Sequence, residues 1–339
     1  MIKSENKISL CLIAANREHL LREMLESIRK QSNTNFDLIV SDDSNIEASS
    51  ETLGLLPKNS IYMRNDPPLG EAANSNQVIR AASTEYIALI HDDDKLHFDY
   101  VEQISQFLKA HDVDVLMVNQ EYIDENGGQV YCRELDDKSK FIWLDPRKLL
   151  EKSLNLERVH PIYTPGLVFK RRLLDKIEFS NSIGTHIDTN FILKLLVNID
   201  SLVILNQYLY YSRISSNSGR GKSSRKGNVY LEQINIYEDF YRYLNQRKLQ
   251  INGFSFDKTV RSYIKNIVLS LNNPFFWTAF HNKNLIKRFV KLLNIYKSII
   301  DFDWTYAFSV RLNLILVTSI FMPTEFIRKR YNYFIKKIK

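Results

Sequence analysis

Short apolar runs alternate with helical spacings along the first 120 residues. Ile8–Ala14 is an almost unbroken apolar run, the pattern of a strand buried on both faces. Leu20, Leu21, Met24, Leu25 and Ile28 then keep helical spacing, with Asn16 placed to cap that helix. Phe36–Val40 is a second strand, followed by a weaker helix near Glu47–Leu55 and a strand at Ile61–Arg64. Gly70 opens a helix that runs through Ala82, and Tyr86–Ile90 is another buried strand. A helix at Tyr100–His111 and a strand at Val113–Val118 close the unit. Such βαβα order predicts the α/β class, with a mostly parallel, Rossmann-like sheet and right-handed crossovers.

The middle of the chain is less regular. Asn126-Gly127-Gly128 marks a turn between the strand-like pieces Glu121–Asp124 and Gln129–Cys132. A strand at Leu167–Lys170, a helix at Asp188–Val197 and a strand at Val203–Leu205 follow. Ser212–Lys226, rich in Ser, Gly, Arg and Lys, reads as a mobile loop or a boundary. Beyond Val229 the pattern is helical to the end.

Length and charge add two constraints. The 339 residues fit one α/β domain plus an extension. The net charge of +7 sits at the C-terminal end, where residues 283–339 carry twelve Lys and Arg against three Asp and Glu. A basic end on a near-neutral body points to an anionic surface, not to a chain that wraps nucleic acid throughout. Leu312–Met322 is apolar but falls short of the about 20 residues a bilayer-spanning helix needs. The mixture of bases and aromatics in 327–339 suits peripheral contact with an anionic membrane, or a helical bundle with its basic face in water. Cys11 and Cys132 form no CxxC pair and read as buried apolar residues in a reducing compartment. With no signal-peptide pattern at the start, the expected location is the cytoplasm.

Ligands of open parallel sheets bind outside the carboxyl ends of the strands. Ala14-Ala15-Asn16, Asp42-Asp43 and Asp92-Asp93-Asp94 all fall at such ends, so three polar clusters should converge on one crevice. Three adjacent carboxylates repel one another unless a cation offsets them. Mg²⁺ or Mn²⁺ would do so while bridging phosphate oxygens; a solvated acidic turn is the plainer alternative. Asp42-Asp43 could accept from a base N–H or a ribose hydroxyl, or cap the next helix.

The run from Ile8 to Arg17, the segment from Gln31 to Ser44, Gly70 with Asn76, and Glu85-Tyr86-Ile87 before the Asp triplet together resemble family-two glycosyltransferases of the GT-A fold. The resemblance covers residues 7–215. It implies a GT-A nucleotide-diphospho-sugar transferase domain over 1–225, with a nucleotide-sugar half (1–120) and an acceptor half (121–225), and an α-helical basic extension over 226–339. Carried over by position, Ala14, Ala15, Asn16, Arg17, Asp42, Asp43, Asn76 and Asp92 fall to the nucleotide sugar. Asp93 and Asp94, in a DxD-type motif, fall to Mn²⁺ or Mg²⁺. Asp188, at the start of its helix, matches the family's catalytic base, and Tyr210-Tyr211-Ser212-Arg213 resembles its aromatic-Arg segment. The implied reaction is inverting transfer from a UDP-, GDP- or dTDP-sugar to a glycan or lipid-linked glycan in surface polysaccharide synthesis.

Three positions depart from the family pattern. Ala15 stands where an aromatic residue is usual, Ile187 where a Glu precedes the base, and Ser215 near the place of a His that can complete the metal site. A sugar nucleotidyltransferase would use a similar sheet, but Ala14-Ala15-Asn16-Arg17 has none of the glycine its phosphate loop needs. Nucleic-acid binding would rest on the basic tail alone.

Overall fold

The computed structural model describes residues 7–154, 162–181, 186–214 and 229–251. Ten strands among them make one mixed sheet: β1 (Ile8–Ala14), β2 (Phe36–Asp42), β3 (Ile61–Arg64), β4 (Tyr86–His91), β5 (Lys95–Leu96), β6 (Val115–Ile123), β7 (Gln129–Cys132), β8 (Phe141–Leu144), β9 (Leu167–Lys170) and β10 (Leu202–Arg213). The order across the sheet is β3-β2-β1-β4-β9-β6-β10-β5, with β7 beside β6 and β8 beside β10. The first four neighbours are parallel, as the apolar runs predict. β9 runs antiparallel between β4 and β6, a strand of opposite sense inserted between two that run the same way.

The helices α1 (Glu18–Arg29), α2 (Ser50–Leu53), α3 (Glu71–Arg80), α4 (Tyr100–Ala110), α5 (Pro146–Leu154), α6 (Ile187–Leu196) and α7 (Val229–Gln246) complete the described elements. α1 buries Leu21, Met24, Leu25 and Ile28, which share a core cluster with Leu10 and Leu12 of β1 and Leu38 and Val40 of β2. Each of these side chains contributes about 1.5–3 kcal/mol of burial. That face ties α1 to the strands whose ends form the crevice. Residues 232 onward of α7 belong to the same compact unit. Lys194 of α6 pairs with Asp239 at 2.8 Å, and Asn190 donates to the Ile236 carbonyl at 3.2 Å. The boundary expected at 225 and the basic segment 283–339 lie outside the described residues.

Two local expectations change. The helix expected over Glu47–Leu55 contracts to α2, a single turn capped by Ser49, whose Oγ accepts from Thr52 N at 3.3 Å. Asn16 does not cap α1. It takes a left-handed conformation at φ 56° and bonds sideways to the next loop, donating from N to Ser44 Oγ at 2.7 Å and accepting at Oδ1 from Asn45 N at 2.9 Å. Cys11 is buried as expected, whereas Cys132 is only partly so. No helix among the described residues is long and apolar enough to cross a membrane.

Candidate active site

Register places the three strand ends at one level. Ala14 of β1 faces Asp42 of β2, and Ile13 faces His91 of β4. The chain then extends the ladder beyond the strands, with Asp43 N bonded to Ala14 O at 2.8 Å and Asp92 N to Ile13 O at 3.0 Å. A cavity of about 310 Å³ opens here, lined among others by Ala14, Asn16, Arg17, Asp42, Ser44 and Asp92. That volume is at the lower end of the range of small-molecule sites, about 300–1,000 Å³.

The acids around it are differently occupied. Asp92 is fully buried; it accepts the Ala15 N–H at 2.9 Å and pairs with Arg17, which also pairs with Asp93. Burial pushes the Asp92 carboxyl up to about 7, with Arg17 pulling it down and Asp93 adding to the rise. Asp94 has both oxygens engaged, one by the Tyr210 hydroxyl at 2.7 Å and the other by Arg213 N at 2.8 Å. Burial first and Asp93 second hold its carboxyl well above the usual range. Of the two residues expected on a metal, Asp94 is thus spent inside the protein, while Asp93 keeps 24% of its side chain exposed.

Asp42 is also fully buried, accepting from Tyr62 Oη at 2.7 Å and Ser44 N at 3.0 Å. Asp43 faces the turn before α3. Its carboxylate accepts Leu69 N at 2.6 Å and Gly70 N at 2.8 Å, fixing where α3 begins. Asn76 closes both ends of its amide on the Phe179 backbone, each at 2.9 Å, and so clips α3 to the segment before α6. The side chain of α3 that reaches β1 is Asn74, which donates to Ala14 O at 3.3 Å.

Asp188 lies in the first turn of α6. Its charge reaches both His91 and Glu71, so the acceptor-half helix and the strand-end acids form one electrostatic group. The His91 imidazole is held below its ordinary pKa by burial, against the opposing pull of Asp188 and Asp93. Glu71, the first residue of α3, is raised to about 7 by loss of hydration, then by Asp188 and Asp93, with Arg17 opposing. Glu71 is nonetheless an exposed residue.

Arg213 at the end of β10 locks the arrangement. Its side chain donates to Asp93 O at 2.7 Å, to Glu125 O at 2.8 Å and to Glu23 Oε2 of α1 at 2.8 Å. Gly166 completes the packing beneath Tyr210. A Cβ there would come within 2.8 Å of the Tyr210 ring, and its φ of +74° is one that side-chain-bearing residues rarely adopt.

Residues 9–178, half of the chain, match the family described as Glycosyl transferase family 2. The chain belongs to glycosyl transferase family 2. It is a glycosyltransferase that moves a sugar from a nucleotide-sugar donor. An uncharacterized glycosyltransferase of Methanocaldococcus jannaschii is 25% identical over 81% of this chain and 85% of that one. The poly(ribitol-phosphate) beta-N-acetylglucosaminyltransferase TarP of Staphylococcus aureus is 24% identical over 71% of this chain and 75% of its own. Among solved structures, residues 1–349 of S. aureus TarS in complex with UDP-GlcNAc superpose with a TM-score of 0.58 at 18% identity, covering 83% of this chain and 81% of that one. That likeness establishes the GT-A fold.

Family-two glycosyltransferases typically use a divalent metal. Among the described residues no group of three or more His, Cys, Asp or Glu is arranged to hold one. The donor set still suits a cation at one point: Asp93 is part-exposed, and a positive charge, that of Arg17, already sits against it. Glu71 carries a signal in the sequence that none of the expected site residues uses. An acid directly after the glycine that opens a helix faces whatever that helix N-terminus faces.

Proposed function

We propose that this chain is an inverting glycosyltransferase whose donor lies in the cavity at the ends of β1 and β2, with Asp188 as the base. The observation that carries the reading is the register that brings Ala14, Asp42 and Asp92 to one cavity, with Arg17 paired to Asp92 and Asp93 at its wall; the charge of Asp188 felt at His91 and Glu71 supports its place as the base. In this reading Ala14, Ala15, Asn16 and Asp42 receive the base and ribose. Arg17 keeps Asp92 and Asp93 compensated until the donor arrives, then transfers its planar guanidinium to the diphosphate. Asp93 would hold a divalent cation together with phosphate oxygens. When bound, Mn²⁺ or Mg²⁺ neutralises the charge that develops on the leaving diphosphate.

Asp188 accepts the proton of the acceptor hydroxyl as that oxygen attacks the anomeric carbon. One direct displacement, through an oxocarbenium-like state, inverts the configuration. The acceptor is a glycan or lipid-linked glycan used in surface polysaccharide synthesis at the cytoplasmic face of the membrane. The activity of the relative TarP on poly(ribitol-phosphate) favours a polymeric acceptor. The UDP-GlcNAc bound to TarS favours a UDP-sugar as donor.

A donor screen tests this directly. Nucleoside diphosphate release is followed with UDP-, GDP- and dTDP-sugars, with Mn²⁺ or with EDTA, and with a lipid-linked glycan present. Release from one donor that EDTA abolishes is expected. Silence of all three classes with metal present would overturn the reading.

A further inference from the structure

The β6–β7 hairpin, in the acceptor half, carries a cation that the sugar transfer described so far does not use. Arg133 follows β7 and is 8% exposed, yet among the described residues neither terminal nitrogen of its guanidinium has a hydrogen-bond partner. What surrounds it is aromatic. The guanidinium carbon lies 5.5 Å from the centre of the Tyr163 ring. Tyr122 bonds to Tyr163 through their hydroxyls and stacks on Tyr131, with ring centres 4.4 Å apart. Burial lowers the Arg133 pKa, and the groups that act against this are the two phenols Tyr163 and Tyr122, with no carboxylate among them. Burial also raises the Tyr122 phenol, so it stays protonated and supplies no counter-charge.

A buried guanidinium with idle N–H groups is costly unless an anion completes it. Its backbone is firmly placed: Arg133 N donates to Gln120 O at 3.1 Å, and Asn119 Nδ2 donates to Arg133 O at 3.0 Å. The side chain therefore starts from a fixed point, and the Tyr163 ring is what its guanidinium meets. The location is also informative. Tyr163 is joined through Thr164 and Pro165 to Gly166, whose N–H bonds Leu89 of β4 at 2.9 Å and which packs on Tyr210. Even extended, that link spans at most about 11 Å, so the enclosure stands within a few sugar rings of the acids.

We propose that Arg133, walled by Tyr122, Tyr131 and Tyr163, is an anion subsite for a phosphoryl group carried by the acceptor. The planar fork takes two phosphoryl oxygens, and the tyrosine faces suit the apolar faces of flanking sugars or polyols. Tyr131 keeps half of its surface in water while stacked on Tyr122. The proposal deepens the glycosyltransferase reading and rests on it for the meaning of the anion, though not for its binding.

The test is calorimetric titration and thermal melting of the full chain with inorganic phosphate, pyrophosphate and dimethyl phosphate. Wild type is compared with Arg133→Gln and Arg133→Met, the donor cavity being filled beforehand with UDP and Mn²⁺. Wild type is expected to bind at least one probe and to melt higher with it. Both variants should bind at least tenfold more weakly and lose the probe-dependent rise, while melting no lower than wild type without a probe. Preference for dimethyl phosphate assigns the group to a diester within a polymer; preference for pyrophosphate assigns it to a lipid-linked diphosphate. Equal probe binding by wild type and Arg133→Met would overturn the proposal. So would a melting temperature that drops in the variants with its probe dependence intact, since that describes a structural arginine. UDP binding is measured first, so failure of the donor reading appears there, separately from the phosphate result.

Discussion

Two regions of the sheet treat charge in opposite ways. At the ends of β1, β2 and β4, each buried carboxylate has an internal partner: Arg17 for Asp92, Tyr210 and Arg213 for Asp94, Tyr62 and Ser44 for Asp42. On the β6–β7 hairpin, Arg133 is buried to a similar degree with its terminal N–H groups unmatched. A compensated region can wait for its ligand without losing stability, because a visitor only exchanges partners there. An uncompensated one is stabilised only when something arrives from outside.

The largest expected effect separates using charge from holding it. Asp188→Asn should lower kcat by about 10²–10⁴-fold, the usual contribution of a general base, while leaving donor affinity by calorimetry unchanged. Equal losses in both would return Asp188 to the compensated region as a structural acid. Asp93→Asn should do the reverse and abolish metal-dependent donor binding.

Arg17→Ala makes the donor region resemble the hairpin. A fully buried pair broken on one side costs about 3–5 kcal/mol. Arg17 keeps 40% of its side chain in water, so about 1–2 kcal/mol is expected from urea unfolding at pH 8. Because the Asp92 carboxyl is raised to about 7, it is largely neutral at pH 5.5, and the deficit should shrink there. A deficit that grows on acidification would contradict the pairing. Tyr210→Phe removes one of the two donors to Asp94 and should cost about 1–3 kcal/mol, read in the same way.

Glu71→Gln should have the smallest effect. The folded carboxyl is raised from 4.5 to about 7, so the native state holds the proton longer than the unfolded chain does. Stability from this group is present below about 4.5 and is lost as pH rises toward 7. The variant should flatten that part of a melting-temperature profile against pH, and an unchanged slope would show that Glu71 is not crowded.

The strands β1, β3 and β9 were legible end to end because their residues alternate or run apolar over their whole length. β10 was seen only at Val203–Leu205. Asn206 and Gln207 interrupt its apolar run, and the pairing with β6 shifts register between Leu205 and Tyr208, so the period breaks where sequence reading depends on it. β8 leaves Trp143 exposed and exists through its pairing with β10, which no local pattern announces. The convergence of the strand-end aspartates followed from topology alone. Their occupancy did not, since Arg17 to Asp92 and Arg213 to Asp94 join residues far apart in the chain.

β9 has one more effect on how the molecule can change. In a wholly parallel sheet, only segments that leave a strand can reach the binding side. By running the other way, β9 delivers the segment that enters it, residues 162–166, to that same side. Changes in residues upstream of a strand can therefore reshape that side of the sheet while those downstream of β1, β2 and β4 stay as they are.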